Sequence, residues 1–98
     1  MPVNNSELER YRRLDAMRVL RLLAEHIKVD RDFKPTKAKL TRRVYVSAAG
    51  MDWEMLVDGP RFFDLRAARG GGGAIDLVMY LWGLPFKSAV AKLKESGA

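Results

Sequence analysis

Four consecutive glycines, Gly70 to Gly73, run directly into the apolar segment Ala74-Ile75-Asp76-Leu77-Val78-Met79-Tyr80-Leu81-Trp82. Few folds accept that junction, because the glycines carry no side chain to pack and the next nine residues demand burial. Ile75, Val78, Met79 and Trp82 recur at the i, i+3, i+4, i+7 spacing of one helix face. Gly83 supplies the left-handed residue that favours a helix stop. Pro85 has the fixed φ that suits the first turn of a new helix. Phe86, Ala89, Val90 and Leu93 then give that second helix its own stripe. The stretch predicts a glycine loop, a short buried helix, a tight corner and an amphipathic helix. Asp76 falls in the first turn of the buried helix, where its charge meets the positive end of the helix dipole.

A glycine-rich loop ahead of a helix presents amides to anions. This one has neither the lysine nor the hydroxyl of a nucleotide-binding P-loop; Ala74 and Ile75 stand there instead. No parallel βαβ unit surrounds it, so the dinucleotide fingerprint fails as well. Two roles remain open: a sharp turn into a buried helix, or a contact from Arg69 and the bare amides to a nucleic-acid phosphate.

Upstream, Ser6-Glu7-Leu8-Glu9 has the form of a capping box. It predicts one long helix to about Ile27, with Met17, Leu20, Ala24 and Ile27 on one face. Leu23 and Ala16 lie beside that face. The arginines of this helix, Arg10, Arg12, Arg13, Arg18 and Arg21, read as a solvated basic face offset by Glu7, Glu9, Asp15 and Glu25. His26 reads as a cation near the helix's negative end. From Lys28 to Arg43 seven basic residues face only Asp30 and Asp32, out of a net charge of +6 for the whole chain. Val29 to Thr41 shows no period and is broken by Pro35, so residues 28–42 read as a basic arm. Such a localised field attracts polyanions, and nucleic acid is the expected partner.

From Arg42 the period becomes two. Val44, Val46 and Ala48 alternate with Arg43, Tyr45 and Ser47. After Ala49-Gly50, Trp53, Met55 and Val57 alternate with Asp52, Glu54 and Asp58. Asp58-Gly59-Pro60 is a turn; beyond it Phe63, Leu65 and Ala67 alternate with Phe62, Asp64 and Arg66. The pattern predicts an antiparallel meander, with Tyr45, Phe62, Arg43, Arg61 or Arg66 on its open face. Aromatics beside arginines there form a platform on which unpaired bases stack. The competing reading is ordinary cross-strand pairing, with Tyr45 and Phe62 only covering the sheet.

Composition closes several routes. The 98 residues contain no cysteine and one histidine, which excludes disulfides and thiolate metal sites and leaves a structural zinc implausible. No cofactor and no metal are expected. No run approaches the roughly 20 apolar residues of a membrane span. Met1-Pro2-Val3-Asn4-Asn5 lacks the layout of a signal peptide, so a cytoplasmic protein with no membrane contact is expected. Ser47, Ser88 and Ser96 have no base at a recognisable spacing, and no enzyme activity is expected.

The run Gly71-Gly72-Gly73-Ala74-Ile75-Asp76-Leu77-Val78-Met79, followed by Gly83, Phe86, Ala89, Val90 and Leu93, resembles the C-terminal half of the zinc-ribbon domain at the N-terminus of bacterial DNA primases. With Arg61-Phe62-Phe63-Asp64 through Arg69-Gly70, it looks like a zinc-free branch found in plasmid, phage and integrative-element proteins. The likeness is specific over about residues 61–93, looser over Val44–Gly59 and weak before that. It implies a small antiparallel sheet flanked by helices that holds single-stranded DNA during primer initiation. It does not carry over the metal site, whose cysteines are all absent, nor catalytic residues, which belong to a separate toprim-like domain. Apolar residues such as Trp53, Phe63 and Leu65 are then expected to replace zinc.

Together these readings predict a single α+β domain over 1–98. A three- to four-stranded antiparallel sheet packs against one long N-terminal helix and two short C-terminal ones. Arg42, Arg43, Arg61, Arg66 and Arg69 are expected to contact phosphates, and Tyr45 and Phe62 to stack on bases. Lys34, Lys37 and Lys39 are expected to steer from the arm. The alternative function is a protein-interaction module, docking on a primase, polymerase or helicase through Trp53, Trp82 or Leu56.

Overall fold

The computed structural model describes residues 5–34 and 41–98. The chain is an α+β fold of nine described elements. Helices α1 (Asn5–Arg13) and α2 (Ala16–Leu23) precede strands β1 (His26–Val29), β2 (Arg42–Ala48), β3 (Met51–Asp58), β4 (Arg61–Asp64) and β5 (Arg69–Gly72). Helices α3 (Ala74–Trp82) and α4 (Phe86–Ser96) follow. The strands form one antiparallel sheet in the order β1-β2-β3-β4-β5.

The expected single N-terminal helix is two helices and a strand. Ala16 donates its amide to the Gly59 carbonyl (2.7 Å), in the turn between β3 and β4. That tertiary bond fixes the start of α2 after the break at Leu14-Asp15. Ala24 leaves α2 in an extended conformation (φ −73°, ψ 148°). Ile27 and Val29 then pair with Val46 and Val44 as β1, where β-branched side chains pack better than on a helix. The expected cap residue Ser6 lies inside α1.

The meander holds, joined by tight turns. Ala49 and Gly50 both take positive φ (54° and 73°), the twist that matches two flanking strands in a two-residue hairpin. Gly59-Pro60 makes the next such turn, closed by the pair Asp58 and Arg61. This short turn sets the register of β4. Phe62 lies opposite Val57, on the core face, and Phe63 lies opposite Leu56, on the open face. The expected facing of this strand is therefore reversed. Phe62 is 5% exposed, and Asp64, expected to face solvent, is 4% exposed.

The glycine run is an edge strand rather than a loop. Its lack of side chains has a packing cause. A Cβ on Gly71 would stand 2.7 Å from Phe62 Cζ, and one on Gly70 would stand 3.1 Å from Phe63 Cδ1. Each aromatic ring of β4 thus occupies the space of its glycine neighbour, a pairing that compensates for glycine in strands.

The helices cover one side of the sheet. Ala74, Ile75, Leu77, Val78 and Leu81 of α3 are all buried, so α3 is enclosed on more sides than its expected stripe. Tyr11, Leu20, Met55, Leu77 and Leu93 are the largest fully buried side chains. Gly83 (φ 62°) ends α3 as expected, and α4 leaves at 109° to it. Phe86, expected in the stripe of α4, is exposed. Among the described residues no single helix is long and apolar enough to cross a membrane.

Candidate nucleic-acid interface

Among the described residues, no element covers the side of the sheet away from the helices, the open face. Strand alternation and register place four rows of side chains across it. Thr41, Asp58 and Arg61 lead to Gly72; Arg43, Leu56 and Phe63 lead to Gly70. Lys28, Tyr45 and Glu54 form the third row, and His26, Ser47 and Asp52 the fourth. Tyr45 (38% exposed) and Phe63 (37%) are the exposed aromatics of this face. An apolar groove of about 270 Å³ runs beside Phe63, lined by Thr41, Leu56, Asp58, Arg61 and Gly71 among others. A second depression of about 660 Å³ lies beside Tyr45, bounded by Lys28 and the turn at Asp30-Arg31-Asp32.

Glu54 organises the charge at the centre of the face. Its Oε2 accepts from Arg43 Nη2 at 3.1 Å and its Oε1 from Arg66 Nη2 at 3.2 Å. These bonds, from Arg66 first and Arg43 second, hold the Glu54 carboxyl below its usual value. Arg66 also donates to the Asp52 carbonyl (3.3 Å). The Arg43 guanidinium stands over the Tyr45 ring, 5.5 Å from its centroid, in cation–π geometry. Asp52 takes a hydrogen bond from Ser47 Oγ (2.8 Å). The face is therefore of mixed charge: Lys28, Arg43, Arg61 and Arg66 stand beside Asp52, Glu54 and Asp58.

The residues expected at the site divide accordingly. Tyr45, Arg43, Arg61 and Arg66 meet on the open face, the second and last of these bound to Glu54. Phe62 does not: it lies in the core, its ring centroid 5.8 Å from that of Tyr80, and Phe63 takes its place outside. Arg42 and Arg69 are exposed but belong by alternation to the opposite face, at the sheet's borders. Lys34 is exposed in the segment after β1. Lys37 and Lys39 lie outside the described residues, as does the whole of 35–40 in the expected arm, while Lys28 and Val29 belong to β1. Phe63, Lys28 and the clamping Glu54 were not expected at the site. The signal for Phe63 was present in the two-residue Gly59-Pro60 turn, since pairing outward from Asp58 and Arg61 places Phe62 behind Val57.

Beneath the sheet lies an aromatic cluster. Tyr80 donates its hydroxyl to Asp64 Oδ2 at 2.6 Å. Asp64 Oδ1 accepts the amides of Arg66 (3.0 Å) and Ala67 (3.3 Å). The Trp53 ring stands 5.7 Å from that of Tyr80, and its Nε1 donates to the Ala48 carbonyl (3.0 Å). Asp64 thus organises the turn into β5, and the expected role of Phe63 in the core falls to Phe62 and Tyr80. No group of three or more potential metal-ligating side chains occurs among the described residues.

No family model, curated protein or solved structure matches this chain. The primase likeness therefore stands on the residues quoted for it alone.

Proposed function

We propose that the domain binds single-stranded nucleic acid across its open sheet face, as an accessory to replication rather than as a catalyst. The observation that carries this reading is the placement of Tyr45 and Phe63, both solvent-exposed, on one face with cations beside each. Arg43 lies over Tyr45, and Arg61 lines the groove beside Phe63. Ring faces accept any base by stacking, and neighbouring cations hold the backbone. The resemblance to primase zinc ribbons favours DNA, and a role in primer synthesis for a mobile genetic element in the cytoplasm, as part of the same proposal.

The test is a fluorescence-anisotropy titration of a labelled oligothymidylate. Tyr45→Ala and Phe63→Ala should each weaken binding by about 1–3 kcal/mol. Phosphate contacts come from Lys28 and Arg61, which have no ion pair among the described residues. Arg43 and Arg66 join only by leaving Glu54. The slope of log affinity against log salt should therefore lie between about −1.4 and −2.8. A flat salt response, or two alanine variants that bind like the parent, would overturn the reading.

One observation favours a second reading, docking on a primase, polymerase or helicase. The groove beside Phe63 has Leu56 in its wall, and three acids share the face. Saturable binding to such a protein, abolished by Leu56→Asp and accompanied by no oligonucleotide binding, would select it.

A further inference from the structure

The sheet has two edges, and they differ. The Gly73 amide donates to the Pro60 carbonyl (2.9 Å), which sets the phase of the last ladder. Phe62 with Gly71 and Asp64 with Arg69 are then the hydrogen-bonded pairs, and Gly70 and Gly72 turn their N–H and C=O groups away from the sheet. Both glycines are exposed, and no backbone or side-chain partner reaches these groups among the described residues. Proteins usually blunt such an edge with lysine, proline or a bulge. β1 carries Lys28, whereas β5 reads Arg-Gly-Gly-Gly.

Three arginines surround the bare edge. Arg61 lies across from Gly72, its Cγ 3.9 Å from where a Cβ of Gly72 would stand. Arg69 opens the strand and is exposed. Arg12 of α1 backs Gly73, its Cα 3.2 Å from the corresponding point. None of the three has an ion pair among the described residues. The nearby acids are Asp58, opposite Arg61, the buried Asp64, opposite Arg69 and engaged by Tyr80 and two amides, and Asp76, close to Gly71 on the helix side. Self-pairing of two β5 strands would bring these arginines together from both copies, so like-charge repulsion disfavours a second copy as the occupant.

We infer that the outer edge of β5 is a docking site for an extended acidic peptide, which adds as a sixth, antiparallel strand. Main-chain hydrogen bonds to Gly70 and Gly72 supply the affinity, and alternate side chains supply the choice. On the open face, the residue opposite Gly72 is acidic and meets Arg61. The residue opposite Gly70, two positions on, is apolar and meets the Phe63 ring, which leans over that glycine. The next residue, opposite Arg69 on the other face, is again acidic. The motif is acidic, any, apolar, acidic. It stands independently of nucleic-acid binding, although Arg61 and Phe63 are common to both surfaces.

The test uses the whole chain, 15N-labelled, and a fluorescein-labelled octapeptide centred on Asp-Thr-Val-Glu. Saturable binding should shift the Gly70 and Gly72 amides and slow their hydrogen exchange. Arg61→Glu with Arg69→Glu should weaken binding by roughly tenfold or more, the worth of one or two charge-assisted bonds. Gly72→Pro removes an outward N–H and should do the same. Because that variant also strains the strand, an octapeptide N-methylated at alternate residues tests the ladder on the unaltered protein, and it should bind at least roughly tenfold more weakly. Equal affinity for the methylated peptide would overturn the inference. So would unmoved Gly70 and Gly72 amides, or amides that respond to oligothymidylate or to protein concentration but not to the peptide.

Discussion

Replacing Glu54 by glutamine, Glu54→Gln, should tighten oligonucleotide binding and change its salt dependence. One carboxylate holds two guanidinium groups, Arg43 at 3.1 Å and Arg66 at 3.2 Å. A neutral amide keeps the shape but loses the charge that binds them. In the parent, Lys28 and Arg61 give two phosphate contacts and a slope of about −1.4; in the variant four contacts give about −2.8. The gain in affinity should therefore shrink by about sevenfold between roughly 50 and 200 mM salt, a factor of about four raised to the slope difference of about 1.4. Asp52→Asn is the control. It changes net charge equally, but its carboxylate is bonded to Ser47 and not to an arginine. Anisotropy titrations of the parent and both variants decide the matter. Equal behaviour of Glu54→Gln and Asp52→Asn would show that a general field, not released arginines, governs binding. An unchanged slope would refute the reasoning.

Adjacent phenylalanines should differ: Phe62→Ala should destabilise by about 3–5 kcal/mol in urea melts, while Phe63→Ala should cost no more than about 1 kcal/mol and weaken oligonucleotide binding. Gly71→Ala should destabilise by about 1–3 kcal/mol, since its Cβ would press on the buried Phe62 ring. Gly72→Ala, with nothing nearer than 3.9 Å, should be tolerated in the same assay. The Asp64 hydrogen bond raises the Tyr80 phenol above its usual 10.0. Its stabilisation is thus complete below about pH 10 and lost as pH rises through the raised value. Tyr80→Phe should cost roughly 1.5–3 kcal/mol at neutral pH and reduce the alkaline loss of stability in a pH series of melts.

The α+β class, the meander and the Gly83-Pro85 corner were legible because each rests on local signals: period two, turn residues, and a left-handed stop. What was hidden depended on partners distant in sequence. Nothing local ends a helix at Leu23; Ile27 leaves the helical pattern, and Val29 the expected arm, because Val46 and Val44 offer them a sheet edge. The glycines read as a loop because their reason for lacking side chains, the rings of Phe62 and Phe63, lies on the neighbouring strand. Tyr45 and Arg43 were readable as open-face residues from alternation alone, whereas Arg61 stood only as an alternative to Arg66. Phe62 was misplaced because alternation within a strand gives two faces but not which one is buried; the Gly59-Pro60 turn decides that. Glu54's hold on two arginines was out of reach, since it joins β2, β3 and the turn after β4.

In the proposed complex Tyr45 and Phe63 form one stacking surface. It is tested most directly by the ring-proton resonances of these two residues during titration with oligothymidylate. Both rings should show saturable upfield shifts at one midpoint, with the buried Phe62 ring moving little and the midpoint rising with salt. Stationary Tyr45 and Phe63 rings at oligonucleotide saturation would contradict it.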